Sequence, residues 1–183
     1  LIRQGEQFEV NVELRDGIKE GREVIHSTAK AILSETLSSA PSYRKEMETK
    51  PYGRSIDEVY EQILFQGDKL RGIKTISSLT PHGMTARILS APSPSLWMKE
   101  PLRSRWILDP LLLDAAFQMA IIWCYEERGN VSLPSFCSSY RQYCESFPTD
   151  GVTAVLEVRS VNDRKMTGDF TFLDEEDTVL ARL

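Results

Sequence analysis

The first third of the chain contains two runs in which apolar and polar side chains alternate. The run Phe8–Leu14 alternates strictly, which is typical of a strand with one buried and one exposed face. The pair Asp16-Gly17 predicts a break, and a second extended run follows at Val24–Leu33. Residues 7 to 34 are therefore predicted to form an antiparallel hairpin or part of a meander.

The pattern then changes in a segment rich in Ser, Pro and charged residues. Residues 38 to 54 have the composition of a surface linker, and we expect a subdomain boundary there. A short helix is predicted over Asp57–Leu64 after the capping residue Ser55, with Gly67 ending it. Pro/Ser-rich residues 91 to 101 are predicted to form a loop.

The remaining extended runs predict strands. One strand is expected on each side of a Pro81-His82-Gly83 turn, and the strands after Leu133 are expected to form an antiparallel meander. The predicted ranges are Ile73–Leu79, Met84–Leu89, Ser138–Ser146, Val152–Val161, Met166–Leu173 and Thr178–Leu183.

One long apolar helix is predicted between these groups of strands. Asp109 can cap the free amides of the first turn, and Pro110 fits a position that needs no N–H donor. The helix should run to about Arg128 and stop at Gly129. Because it is apolar on every side, we expect a curved sheet to enclose it, with Trp123 in the core.

Composition and charge restrict the possible partners. The net charge of −5 is spread along the chain without a basic block, which argues against nucleic acid. No apolar run is long enough to span a bilayer, so we expect no membrane partner. The three cysteines lack zinc spacing and are predicted to be reduced, core or near-core thiols of a cytoplasmic protein. The chain opens without a methionine, and we expect it to be part of a longer protein.

Three motifs in a fixed order carry a family resemblance. Residues 110 to 118, Pro-Leu-Leu-Leu-Asp-Ala-Ala-Phe-Gln, look like the DxxxQ/H motif of the dehydratase domains of type I polyketide synthases. Residues 64 to 73 are similar to the YGPxFxG segment of that family, and Leu133-Pro134 falls where the family has LPFxW. Gln66, Asp68 and Leu70 depart from the usual Tyr, Pro and Phe.

The resemblance implies an α+β hot-dog fold, in which an antiparallel sheet wraps a central helix, as part of a double hot dog. It implies closing strands of a truncated first hot dog over residues 1 to 37, the linker over 38 to 54, and the C-terminal hot dog over 55 to 183. The family's catalytic histidine lies in an HxxxGxxxxP motif of the first hot dog. Neither His26 nor His82 has that setting, and both are predicted to be ordinary surface or strand residues.

The resemblance also implies a reaction, the removal of water from a β-hydroxyacyl chain to give an α,β-enoyl thioester. Asp114 would be the buried general acid, and Gln118, one helical turn later, would hydrogen-bond the carboxyl group or the substrate hydroxyl. The substrate channel would be lined by Gln66, Gly67, Leu70, Leu133 and Pro134. Because the histidine would lie upstream of this chain, we expect the isolated chain to be inactive.

No metal or redox cofactor is implied, because the phosphopantetheine arm of an acyl carrier protein delivers the substrate. The expected partners are that carrier protein, other domains of the same synthase and the missing first hot-dog half, with a homodimer possible.

Other interpretations remain open at this stage. A product-template cyclase of the same fold would fold a polyketone, and a non-catalytic scaffold or carrier-docking module would do no chemistry. At the level of single residues, Asp114 could be a solvated carboxylate at the helix edge, and Gln118 a satisfied buried amide.

Overall fold

A computed structural model describes residues 2–4, 7–19, 21–43 and 50–183. The chain divides into two compact units, one up to Ser38 and one over Ser39–Leu183. In the part of the chain that is described, no helix is long and apolar enough to cross a membrane.

The first unit is a three-stranded antiparallel sheet in the order β1-β2-β3. Its strands are β1 (Ile2–Gln4), β2 (Gln7–Lys19) and β3 (Arg22–Ser34), so the predicted hairpin is confirmed. The break predicted at Asp16-Gly17 is wrong, because β2 continues through it with shifts of register on both sides of Arg15. Gly17 has φ of 65°, a left-handed conformation that lets a bulge absorb the extra residues.

The predicted linker has its middle, residues 44 to 49, outside the described residues. Ser42 and Lys50, on either side of this gap, belong to the second unit and bond within it: Ser42 pairs with Thr178, and the Leu79 amide donates to the Lys50 carbonyl at 3.1 Å.

The described residues of the second unit form three α-helices, one 3-10 helix and a six-stranded antiparallel sheet in the order β4-β5-β7-β8-β9-β6. Its helices are α1 (Ile56–Gln62), the 3-10 helix (Asp68–Leu70), α2 (Pro94–Trp97) and α3 (Pro110–Arg128). Its strands are β4 (Ile73–Thr80), β5 (Gly83–Ile88), β6 (Arg141–Gln142), β7 (Val152–Val161), β8 (Met166–Leu173) and β9 (Val179–Arg182).

The structure corrects three predicted boundaries in this unit. Helix α1 is capped by Ser55 as predicted but ends before Ile63, and Gly67 instead precedes the 3-10 helix. The loop predicted over residues 91 to 101 contains the short helix α2. The strand predicted over residues 138 to 146 is reduced to β6.

One face of the sheet packs against α3. Alternate residues of β5 and β7 lie opposite one another on this face, with Ala86 facing Ala154 and Met84 facing Leu156, all four fully buried. Helix α3 contacts β4, β5, β7 and β8, and the apolar residues of α1 belong to the same core. The α+β class is therefore confirmed.

Helix α3 has the bounds that its sequence predicts, and Trp123 is buried in the core as expected, 2% exposed. Its indole N–H donates to a carbonyl of β4 at 2.9 Å. The three cysteines are free thiols, Cys124 buried and Cys144 half-buried, but the exposed Cys137 contradicts its predicted place in or near the core.

Full enclosure of α3 was also predicted, and it is wrong along one stripe. Leu113, Asp114, Phe117 and Ala120 are only half-buried, and their spacing places them on one side of the helix.

Candidate functional site

The first turn of α3 is fixed by Asp109, a buried carboxyl group. Its Oδ1 accepts from the amides of Leu111 at 3.0 Å and Leu112 at 2.9 Å, and its Oδ2 accepts from the Ala91 amide at 2.9 Å. Burial raises the pKa of Asp109, and these three hydrogen bonds act in the opposite direction. The helix that carries the candidate acid therefore starts from a firmly held position.

Asp114 and Gln118 lie one turn apart on α3. The Gln118 Nε2 donates to Oδ2 of Asp114 at 2.7 Å. The sequence predicted a buried Asp114, but its side chain is half-buried on the open stripe beside Leu113 and Phe117. A carboxyl group in this position combines an accessible surface with an ordered hydrogen-bond donor, which suits proton transfer to a bound molecule.

Gln118 is fully buried and uses both ends of its amide. Besides the bond to Asp114, Nε2 donates to the Leu70 carbonyl at 2.7 Å, and Oε1 accepts from the Tyr60 hydroxyl at 2.7 Å. One amide thereby links α1, the 3-10 helix and α3, and its buried polar atoms are satisfied.

Tyr60 is the member of this network that the sequence analysis missed. Its hydroxyl oxygen accepts from the Ile73 amide at 2.9 Å, and the Arg71 guanidinium carbon lies 5.2 Å from the centre of its ring. Burial raises the pKa of Tyr60 to about 12; the Ile73 bond opposes this effect, and Asp114 adds to it. The available signal was its place on the apolar side of α1, three residues before Ile63, because a buried tyrosine hydroxyl usually needs a partner.

The predicted channel residues near α1 lie beside this network. Leu70 joins it through its main-chain carbonyl, and Gly67 is the residue before the 3-10 helix, where its carbonyl accepts from the Leu70 amide at 2.9 Å. Gln66 is half-buried, and its Oε1 accepts from the Phe65 amide at 3.2 Å.

The other two predicted channel residues lie in the loop after α3. Leu133 is 68% exposed and Pro134 is also exposed. The structure brings Leu70 together with Asp114 and Gln118, and it places Leu133 and Pro134 on the surface. Their role in a channel stays a prediction.

In the described part of the second unit, Asp114 has a glutamine and no histidine as its hydrogen-bond partner. His26 lies in β3 of the first unit, where its Nε2 is 3.7 Å from the Asp16 carboxylate. His82 is exposed at the β4–β5 turn, next to the strand end that accepts the Trp123 indole N–H. Trp123 is two and a half turns beyond Asp114, roughly 14 Å along a helix that rises 1.5 Å per residue. The turn that carries His82 is therefore remote from Asp114.

An antiparallel sheet packed against one long helix is the arrangement expected of a hot-dog fold, and solved structures share it. The chain is similar to the dehydratase domain of RzxB from Pseudomonas fluorescens, with TM-score 0.68 and 15% identity over 100% of this chain and 64% of that one. A trans-AT polyketide synthase dehydratase domain from Brevibacillus brevis gives TM-score 0.68 and 20% identity, over 95% and 62%. The dehydratase domain from the CurH module of curacin polyketide synthase gives 0.64 and 18%, over 96% and 62%.

These likenesses confirm the predicted hot-dog fold. The chain spans less than two thirds of the length of each of these three structures. None of the curated proteins searched matches the sequence significantly.

The protein family is established by a match between the sequence and a family model. Residues 38–183 match the family described as the polyketide synthase dehydratase N-terminal domain, and the chain belongs to that family. The description names an N-terminal domain, so the match establishes the dehydratase family without confirming the predicted C-terminal half.

Proposed function

We propose that the protein is the acid-bearing part of a dehydratase that removes water from a β-hydroxyacyl chain on an acyl carrier protein. The observation that carries the proposal is the setting of Asp114. One carboxyl oxygen is held by a buried amide, and within the described residues no protein group donates a hydrogen bond to the other oxygen, Oδ1, on the open stripe of α3.

The proposed reaction divides proton transfer between two groups. A base removes the proton on the α-carbon, and the electron pair of that C–H bond forms the α,β double bond. The bond from the β-carbon to the hydroxyl oxygen breaks, and Asp114 protonates that oxygen so that it leaves as water. The product is the α,β-enoyl thioester, and Asp114 becomes a carboxylate that the Gln118 N–H stabilises.

The base in this proposal is a histidine in the remainder of a longer dehydratase. The chain spans 62% to 64% of the three matched structures, which leaves room for such a segment. We further propose that residues 55 to 183 form the C-terminal hot dog, after closing strands of a first hot dog and a linker. The division after Ser38 and the six-stranded sheet of the second unit support this arrangement.

The proposal includes the setting of the enzyme. The phosphopantetheine arm of the carrier protein would present the substrate, so that no resident cofactor takes part. Other domains of a polyketide synthase in the cytoplasm, and a second copy of the dehydratase, are the remaining proposed partners.

Asp114→Asn tests the acid role in a longer protein that contains this chain and the rest of the dehydratase. With a β-hydroxyacyl carrier protein as substrate and mass spectrometry to follow the loss of water, we expect kcat to fall by about 10²- to 10⁴-fold. Glu127→Gln, on the same helix, is the matched control and should keep its activity. An Asp114→Asn protein with unchanged kcat and thermal stability would contradict the proposal.

The same assay separates the alternatives. A wild-type protein that binds the carrier protein without releasing water would indicate a scaffold, and a cyclised polyketone product would indicate a cyclase. We expect the 183-residue chain alone to be inactive, and turnover by it would show that the base is not supplied from elsewhere.

A further inference from the structure

The direction of each hydrogen bond around Gln118 is determined by the backbone. The Ile73 amide can only donate, so the Tyr60 oxygen accepts from it. The hydroxyl hydrogen of Tyr60 is then directed to its second neighbour, an oxygen of Gln118 at 2.7 Å. That atom must be the acceptor, Oε1, since an NH2 group there would oppose the phenolic hydrogen.

The amide of Gln118 is therefore held in one orientation. Its NH2 group faces two acceptors, the Leu70 carbonyl and Asp114 Oδ2, each at 2.7 Å. A flipped amide would bring Oε1 against both of these oxygens and leave two buried N–H groups beside a donor.

We infer that Tyr60 is a positioning residue that, through Gln118, determines which oxygen of Asp114 carries the transferable proton. Because Oδ2 accepts an N–H bond, the proton of the acid lies on Oδ1, the oxygen without a protein donor in the described part of the chain. In the dehydration step Oδ1–H breaks, the proton passes to the departing hydroxyl oxygen, and the negative charge left on the carboxylate is stabilised at Oδ2. This inference rests on the proposed function and adds the residue that orients its acid.

A double-mutant cycle in the longer dehydratase tests the inference. Tyr60→Phe removes the hydroxyl, and Gln118→Met removes the amide while nearly keeping its volume. We expect Tyr60→Phe to lower kcat about tenfold, the largest factor that one neutral hydrogen bond contributes, with KM nearly unchanged. In the Gln118→Met background, Tyr60→Phe should lower kcat no further.

Tyr125→Phe, a half-buried tyrosine of α3 outside this network, is the control and should leave kcat unchanged. Equal losses of kcat from Tyr60→Phe in both backgrounds, or no loss in either, would overturn the inference. Failure of the proposed function gives a different result, an active Asp114→Asn protein.

A measurement on the unsubstituted protein covers the case in which Tyr60→Phe does not fold. The side-chain amide protons of Gln118 should exchange with solvent at least about tenfold more slowly than those of Gln62, an exposed glutamine of α1. Exchange as fast as that of Gln62 would show an amide that is not held, and the inference would be wrong.

Discussion

Asp109→Ala should destabilise the second unit through the start of α3. The substitution removes the acceptor of two first-turn amides, a capping loss of about 1 kcal/mol. It also leaves the Ala91 amide without its acceptor, which costs about 1 to 2 kcal/mol more for a partly buried donor. The sum is about 2 to 3 kcal/mol, a large share of the 5 to 15 kcal/mol that is typical of unfolding.

Asp109→Asn adds a second, sharper test. Its carbonyl oxygen can still accept from the two helix amides, whereas its NH2 group meets the Ala91 N–H donor. We therefore expect Asp109→Asn to retain the stabilisation from capping the helix and to lose only the stabilisation from the bond to the Ala91 amide.

Ser93→Ala is the matched control for both variants. Ser93 precedes Pro94 at the start of α2 as Asp109 precedes Pro110, but its side chain makes no capping bond. Its substitution should change stability by less than about 0.5 kcal/mol. Urea unfolding followed by far-UV circular dichroism gives all three values. Equal stability of Asp109→Ala and Ser93→Ala would refute the reasoning.

Three further substitutions test other parts of the fold. Gly151→Ala should cost at least about 3 kcal/mol of unfolding free energy, because φ is +95° and a Cβ would lie 2.0 Å from the Ile88 carbonyl oxygen. Gly53→Ala, with open space around it, should be nearly neutral. Equal urea midpoints for the two variants would contradict this prediction. Trp123→Phe should cost about 2 to 3 kcal/mol, through a lost buried hydrogen bond and a small cavity, and an unchanged melting temperature would disprove it. The pKa of the Tyr60 hydroxyl is raised from 10.0 to about 12 in the folded protein, so its contribution to stability is complete below pH 10 and is lost as the pH rises through 12. Tyr60→Phe lacks this hydroxyl and should therefore lose less unfolding free energy than the wild type over that range. Identical losses in the two proteins would contradict the assignment.

The parts of the fold predicted correctly from the sequence depend on local signals. The bounds of α3 follow from Asp109-Pro110 at one end and Gly129, with φ of 66°, at the other. The strands β7 and β8 were predicted residue for residue, because alternation and turn residues are both local features.

The errors arise where distant contacts decide the conformation. Asp16-Gly17 has turn composition, yet pairing along β3 carries β2 through it as a bulge. Over residues 138 to 146 only Arg141 and Gln142 form a strand with β9. The Tyr143 amide still donates to the Leu180 carbonyl at 2.8 Å, and the Gln142 side chain donates to the Cys144 carbonyl.

The part of the candidate site that lies on one helix could be predicted from the sequence, because its geometry is local. Asp114 and Gln118 are one turn apart on one helix, so their proximity follows from helical geometry. Tyr60 lies 58 positions before its partner Gln118, and no spacing rule connects the two. The half-exposure of Asp114 also depends on what covers α3, which the helix sequence alone does not define.

Gln118 donates a hydrogen bond to the main chain of Leu70 and not to its side chain, and this has a consequence for the residues that position 70 can accept. The amide beside the acid recognises a peptide oxygen, which every amino acid supplies equally. In the dehydratase that we propose, substitutions at position 70 would therefore alter the surface beside Asp114 while the hydrogen bond of Gln118 to the main chain keeps its geometry. Under the proposed function, position 70 is thus a suitable place to begin changing substrate preference without disturbing the group that acts as acid.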